Sequence, residues 1–174
     1  MTRAEPEAAV ADRVFIDTNV LVYADDPSGG VKRDRAIDVL SALVTDERAV
    51  LSTQVLQEYF VVATRKVGLA PEQARRRVEV LSKLDVVVVR PELIVAAIDL
   101  HRLHSISFWD ALVVRAASVA GCACILSEDL NGGQSIDGVT IVNPFAPGGR
   151  AGEPKGRHAI SRGRKTRGEL RSRL

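Results

Sequence analysis

The stretch Val14-Phe15-Ile16-Asp17-Thr18-Asn19-Val20 runs three apolar, largely β-forming residues straight into an acid, a hydroxyl and an amide. The apolar part has the composition of a short strand buried on both faces, as central parallel strands are. Asp17 then falls where that strand ends, at the carboxyl edge of a sheet, and open α/β sheets bind ligands outside that edge. Asp, Thr and Asn are also good helix N-caps. This stretch alone therefore leaves Asp17 equally a cap and a site residue.

Outward from it, residues 19–24 allow a first helical turn or two before Asp25-Asp26-Pro27-Ser28-Gly29-Gly30 interrupts any regular structure. Ala36, Val39, Leu40, Leu43 and Val44 recur at helical spacing and predict a helix over about 32–45. A second strand is expected at 49–52. Thr53 opens a helix with Val55, Leu56, Tyr59, Phe60 and Val62 on its apolar face, ending near Gly68. Pro71 starts another, with Pro in the first turn where its missing N–H costs nothing. Strands follow at 86–89, 123–127 and 139–142, with helices at 93–103 and 109–120, and Asn143-Pro144 closes the last strand. Five short strands separated mostly by helices predict an α/β fold. Its core is a five-stranded parallel, doubly wound sheet flanked by helices, in one domain over residues 13–145.

Composition agrees and narrows the function. A chain of 174 residues with 46% hydrophobic and 4% aromatic residues suits an aliphatic α/β core. Residues 146–174 hold nine of the 24 Lys and Arg but only Glu153 and Glu169 of the 22 acids. That makes the tail about +7 and the remainder about −5. With little to bury, 146–174 is expected to be a disordered basic tail. Cys122 and Cys124 sit in an apolar run and read as core packing, without a zinc set or disulfide framework. No signal peptide and no membrane span is expected, which fits a cytoplasmic protein. Arg75-Arg76-Arg77 reads as a solvated helix face rather than a phosphate contact, and His101 and His104 as polar residues at a helix end rather than a metal or general-base role for His104. Neither a Gly-rich phosphate loop nor a Gly-x-Ser-x-Gly elbow is present.

Four acids converge once these elements are placed. Asp17 ends the first strand and Asp129 follows the fourth, so both lie at the carboxyl edge. The helix carrying Asp110 precedes the fourth strand and runs antiparallel to it, which returns its first turn to that edge. Glu58 lies about five residues into the helix leaving the second strand, roughly 8 Å above the rim. Each has a bland alternative: Asp110 in a capping box with Ser107, Glu58 as an exposed helix acid, Asp129 in a turn. Together they form a cluster that either raises its own pKa values or takes a hard cation such as Mg²⁺ or Mn²⁺.

Phe15-Ile16-Asp17-Thr18-Asn19-Val20-Leu21, Gln57-Glu58, Ser107-Phe108-Trp109-Asp110-Ala111-Leu112 and Leu126-Ser127-Glu128-Asp129-Leu130 resemble the PIN-domain nucleases, and among them the VapC-type toxins of bacterial toxin–antitoxin pairs. The resemblance implies Mg²⁺- or Mn²⁺-dependent cleavage of RNA. It also implies Asp17, Glu58, Asp110 and Asp129 as metal ligands, and Thr18 or Ser127 as a hydroxyl helper. An antitoxin partner that blocks the groove and a homodimer are implied as well. The basic tail lies outside the pattern. Two other readings compete: a phospho-accepting signalling domain, and a catalytically silent PIN-like binding module. The first is disfavoured because such domains usually present a Lys after the last strand, where this chain has Val142-Asn143-Pro144. The intact acid set disfavours the second.

Overall fold

The computed structural model describes residues 12–147. The expected disordered tail lies almost wholly outside them. Strand β1 (Val14–Ile16) is buried at every position and forms the middle of the sheet. It is followed by α1 (Thr18–Asp25), α2 (Gly30–Thr45), β2 (Ala49–Ser52) and α3 (Thr53–Val62). Then come α4 (Pro71–Leu81), β3 (Asp85–Val87), α5 (Pro91–His104), α6 (Phe108–Val119), β4 (Cys124–Leu126), β5 (Ser135–Ile136) and β6 (Val139–Val142).

The sheet order is β3-β2-β1-β4-β6-β5. The first five of these strands pair in parallel, and β5 pairs antiparallel with β6 at one edge. The expected five-stranded sheet therefore carries a sixth, two-residue strand. Ser135-Ile136 is too short to show any alternation, and Gly138 (φ 79°) makes the tight return that pairs it with β6. From β1 the chain first builds toward β2 and β3, then comes back to place β4 on the other side of β1. The carboxyl ends of β1 and β4 thus flank the topological switch point, where α/β sheets leave a crevice.

Local signals fix the helix ends that matter here. Ser52 caps α3, its Oγ accepting from the Val55 N–H at 3.3 Å, and Ser107 caps α6 by accepting from Asp110 N–H at 3.1 Å. The α3 helix widens into a π-helical turn over Ala63–Val67, and Gly68 at φ 81° ends it. Phe15, Ile16, Leu51, Tyr59 and Ile125 are among the largest fully buried side chains and fill the space around the central strands. Arg13 and Asp85 pair across the opposite edge of the sheet, as do Arg115 and Asp137 beside β5. No helix among the described residues is long and apolar enough to cross a membrane.

Candidate active site

Asp17 lies immediately after β1 and is at once a cap and a cleft residue. Its Oδ1 accepts from the Thr18 N–H at 2.7 Å, opening α1. Its Oδ2 accepts from the Ser127 hydroxyl at 2.6 Å and from Asn19 Nδ2 at 3.1 Å. The capping role is realised, and the same side chain faces a cleft.

A cleft of about 420 Å³ opens above β1 and β4, and all four carboxylates, Asp17, Glu58, Asp110 and Asp129, line it. They arrive from four elements: the ends of β1 and β4, the middle of α3 and the first turn of α6. Asp26 adds a fifth carboxylate, and among the described residues Lys66, from the π-helical turn, is the single cation in the lining. Neither His101 nor His104 lines it. His101 Nδ1 instead meets the Ile106 carbonyl at 2.5 Å at the end of α5, as polar helix-end placement implies.

The acids are spaced by neutral donors. Glu58 accepts from Thr18 Oγ1 at 2.9 Å and from Gln54 Nε2 at 2.8 Å. The Asn19 amide stands between Asp17 and Asp129, donating to Oδ2 of each at 3.1 and 3.2 Å. Ser127, fully buried, donates to Asp17 and accepts from the Asp129 and Leu130 N–H groups, both at 3.2 Å, shaping the turn that presents Asp129. Burial pushes the Asp17 carboxyl up to about 6 against the pull of the Ser127 and Thr18 hydrogen bonds, with the charges of Glu58 and Asp129 adding to the rise.

Asn19 and Gln54 are cleft residues bonded to the acids that the sequence alone does not single out, although their spacing carries a signal. Asn19 stands two residues from Asp17, and Gln54 is four residues before Glu58 on the same helix face. Among the described residues no three His, Cys, Asp or Glu side chains are already gathered as a ligand cage. The donor set still fits a hard cation: it is all oxygen and anionic, and Mg²⁺ is commonly held by one or two carboxylates with waters completing its shell.

The PIN domain family model matches residues 14–131. Three solved structures share the fold. The sarcin–ricin-loop-cleaving toxin VapC20 of Mycobacterium tuberculosis is 18% identical with a TM-score of 0.56, over 67% of this chain and 91% of that one. A toxin–antitoxin complex from Klebsiella pneumoniae is 19% identical with a TM-score of 0.59, over 76% and 98%. A DNA-bound VapBC from Salmonella typhimurium is 18% identical with a TM-score of 0.56, over 74% and 96%. No curated protein matches the sequence.

Proposed function

This chain belongs to the PIN-domain family, and from that premise we propose that it is a divalent-metal-dependent endoribonuclease, the toxin of a toxin–antitoxin pair. What carries the proposal is the convergence of Asp17, Glu58, Asp110 and Asp129, from four separate elements, on one cleft at the switch point of the sheet. Asp17 and Asp110 are the first ligands for Mg²⁺ or Mn²⁺, with Glu58 and Asp129 completing the set. Bound there, the cation supplies water activation and neutralises the charge that develops on the phosphate oxygens. The chain's own part is orientation. Thr18 and Gln54 fix both oxygens of Glu58, and Ser127 and Asn19 hold Asp17 and the Asp129 turn. Ionised Asp17 is the form that binds metal, so metal binding and cleavage are expected to rise with pH through about 6.

The test pairs synthetic single-stranded RNA with the protein in Mg²⁺ or Mn²⁺ and in chelator, alongside Asp110→Asn. The Ser107 cap uses the backbone N–H of Asp110, not its carboxyl, so the substitution spares the cap. In chelator its stability stays within about 1 kcal/mol of the parent, the scale of one charge–dipole interaction at a helix end, while metal-dependent cleavage collapses. Cleavage that survives both chelator and Asp110→Asn would overturn the assignment, and a destabilisation of several kcal/mol would make Asp110 structural.

Partners follow the same reading. An antitoxin would insert a segment toward the acid cleft, and two of the similar structures are toxin–antitoxin complexes. A second copy would cover the exposed Ile94, Val95 and Ile98 of α5. The basic tail fits the RNA side of the reading, because its root is anchored at the cleft. Phe145 packs edge-on to Tyr23 at 5.0 Å, Tyr23 lines the cleft, and Arg35 Nε donates to the Pro144 carbonyl at 3.3 Å. Residues 148–174 carry nine cations against two acids, charge that would offset the acidic lining, where Lys66 stands against five carboxylates. Truncation after Pro147 is expected to weaken RNA binding and to flatten its log–log salt slope by about 0.7 for each phosphate that the tail neutralises. Identical slopes for the two proteins would remove the tail from RNA binding.

A further inference from the structure

Trp109 is the one large aromatic side chain of the cleft that the acid site leaves unexplained. It sits in the first turn of α6 beside Asp110 and lines the cleft, yet 60% of its surface is exposed. Leaving an indole this open forgoes much of the hydrophobic gain its burial would bring. Phe108, half-buried, braces it in an edge-to-face contact at 5.2 Å and 63°. The other aromatic of the cleft, Tyr23, is already engaged. Its hydroxyl donates to Glu128, its ring meets Phe145, and Lys32 lies over it at 4.8 Å.

A second observation points to the same wall. Gln54 is only 5% exposed and lines the cleft, and its Nε2 serves Glu58. Its amide carbonyl is buried with no partner among the described residues. Buried acceptors are almost always satisfied, so this oxygen is ready for a donor that arrives with a ligand. Its Nε2 also approaches the Trp109 carbonyl at 3.5 Å, which sets the amide beside the indole's backbone.

We propose that Trp109 and Gln54 form a nucleobase subsite, in which an unpaired base next to the cleaved phosphate stacks on the indole and a donor of that nucleotide reaches the Gln54 carbonyl. The proposal rests on the ribonuclease reading and adds to it a contact with one base beside the cleaved phosphate. Aromatic platforms take unpaired bases because every base has a π-face, and duplex stacking keeps those faces hidden. An acidic cleft gives phosphate no direct hold, so a stacked base also supplies affinity of a kind that the carboxylates do not oppose.

Trp109 is the only tryptophan in the chain, so its fluorescence reports the subsite directly. The experiment titrates the full-length protein, in chelator to prevent cutting, with a short single-stranded RNA and with the same RNA carrying an abasic position at each site in turn. Stacking is expected to quench the fluorescence, and one abasic position is expected to weaken binding on the order of 5- to 100-fold. Trp109→Ala, followed by anisotropy of end-labelled RNA, is expected to lose a similar factor and then to be indifferent to that abasic position. Trp109→Phe recovers part of the loss. RNA that binds without quenching, or an abasic penalty undiminished in Trp109→Ala, would overturn the subsite while leaving the ribonuclease reading standing. A fluorescence change on dilution without RNA, with no RNA effect, would overturn it by assigning the indole to a protein interface. Failure of any RNA to bind, together with no metal-dependent cleavage, would instead sink the ribonuclease reading itself.

Discussion

Asp17→Asn is expected to cost at least about a hundredfold in RNA cleavage, the scale of removing a group that stabilises developing charge, and yet to make the metal-free protein more stable. The two effects have one cause. In the fold the Asp17 carboxyl is pushed from 3.8 up to about 6, chiefly by burial, with Glu58 and Asp129 adding repulsion. At about 1.4 kcal/mol per pK unit, holding it ionised at neutral pH costs up to about 3 kcal/mol of folding stability. An amide avoids that cost and keeps much of the geometry. The single amide oxygen keeps either the Thr18 cap or the Ser127 hydrogen bond, and the loss of the other offsets about 0.5–2 kcal/mol of the gain.

The sign of the pH dependence checks the cause. A carboxyl whose folded pKa lies above its unfolded value contributes stability that is fully present below about pH 4 and is lost as pH rises through about 6. Urea unfolding in chelator should therefore show the parent losing stability relative to Asp17→Asn across that window, with the difference levelling off above it. On the proposed metal site, saturating Mg²⁺ or Mn²⁺ should reverse the ranking above pH 6, because a cation held by the folded, ionised parent would stabilise it by mass action. Asp17→Asn that is less stable than the parent in chelator at pH 7 would mean that the hydrogen bonds outweigh burial and repulsion.

The parts of this architecture legible in sequence are those with a period or a cap. The three buried residues before Asp17 form the central strand, and Pro71 stands at the first turn of its helix, whereas α5 begins at Pro91, two residues before the expected 93–103. Because strand and helix order fixes which ends share an edge, the common rim of Asp17, Glu58, Asp110 and Asp129 is readable from the order alone. The rest depends on backbone detail or on contacts distant in sequence. Strand β5 is two residues long, and β3 begins one residue earlier than its apolar run, at the exposed Asp85. The helix opened by Thr53 does end at Gly68, but its last turn is π-helical, and this places Lys66 in the cleft. Asn19 joins Asp17 to Asp129 across 110 residues of chain, a bridge that only the pairing of β1 with β4 creates.

Tyr59 offers the largest expected loss of stability. It follows Glu58 on α3, points into the core, and is the largest of the completely buried side chains. Its hydroxyl donates to Asp25 Oδ2 at 2.7 Å at the end of α1, and Arg77 Nε from α4 donates to the same oxygen at 2.9 Å. Burial and the neighbouring Asp25 carboxylate push the phenol well above its usual range, so it remains a donor at any working pH. One carboxylate thereby ties α1, α3 and α4 together and fixes the rotation of the helix that carries Glu58. Tyr59→Ala, which leaves a ring-sized cavity and removes one donor from Asp25, is expected to cost about 3–5 kcal/mol. Tyr59→Phe keeps the ring and loses only the hydrogen bond to a charged acceptor, about 1.5–3 kcal/mol. Arg77 still faces Asp25 in the Phe variant, so a double-mutant cycle with Arg77→Met separates the two donors, and neighbours sharing one acceptor are expected to be non-additive. Urea denaturation of the parent, the two single variants and the double variant measures this. A Tyr59→Phe protein as stable as the parent would show that the three-helix tie contributes packing alone, leaving the position of Glu58 to Thr18 and Gln54.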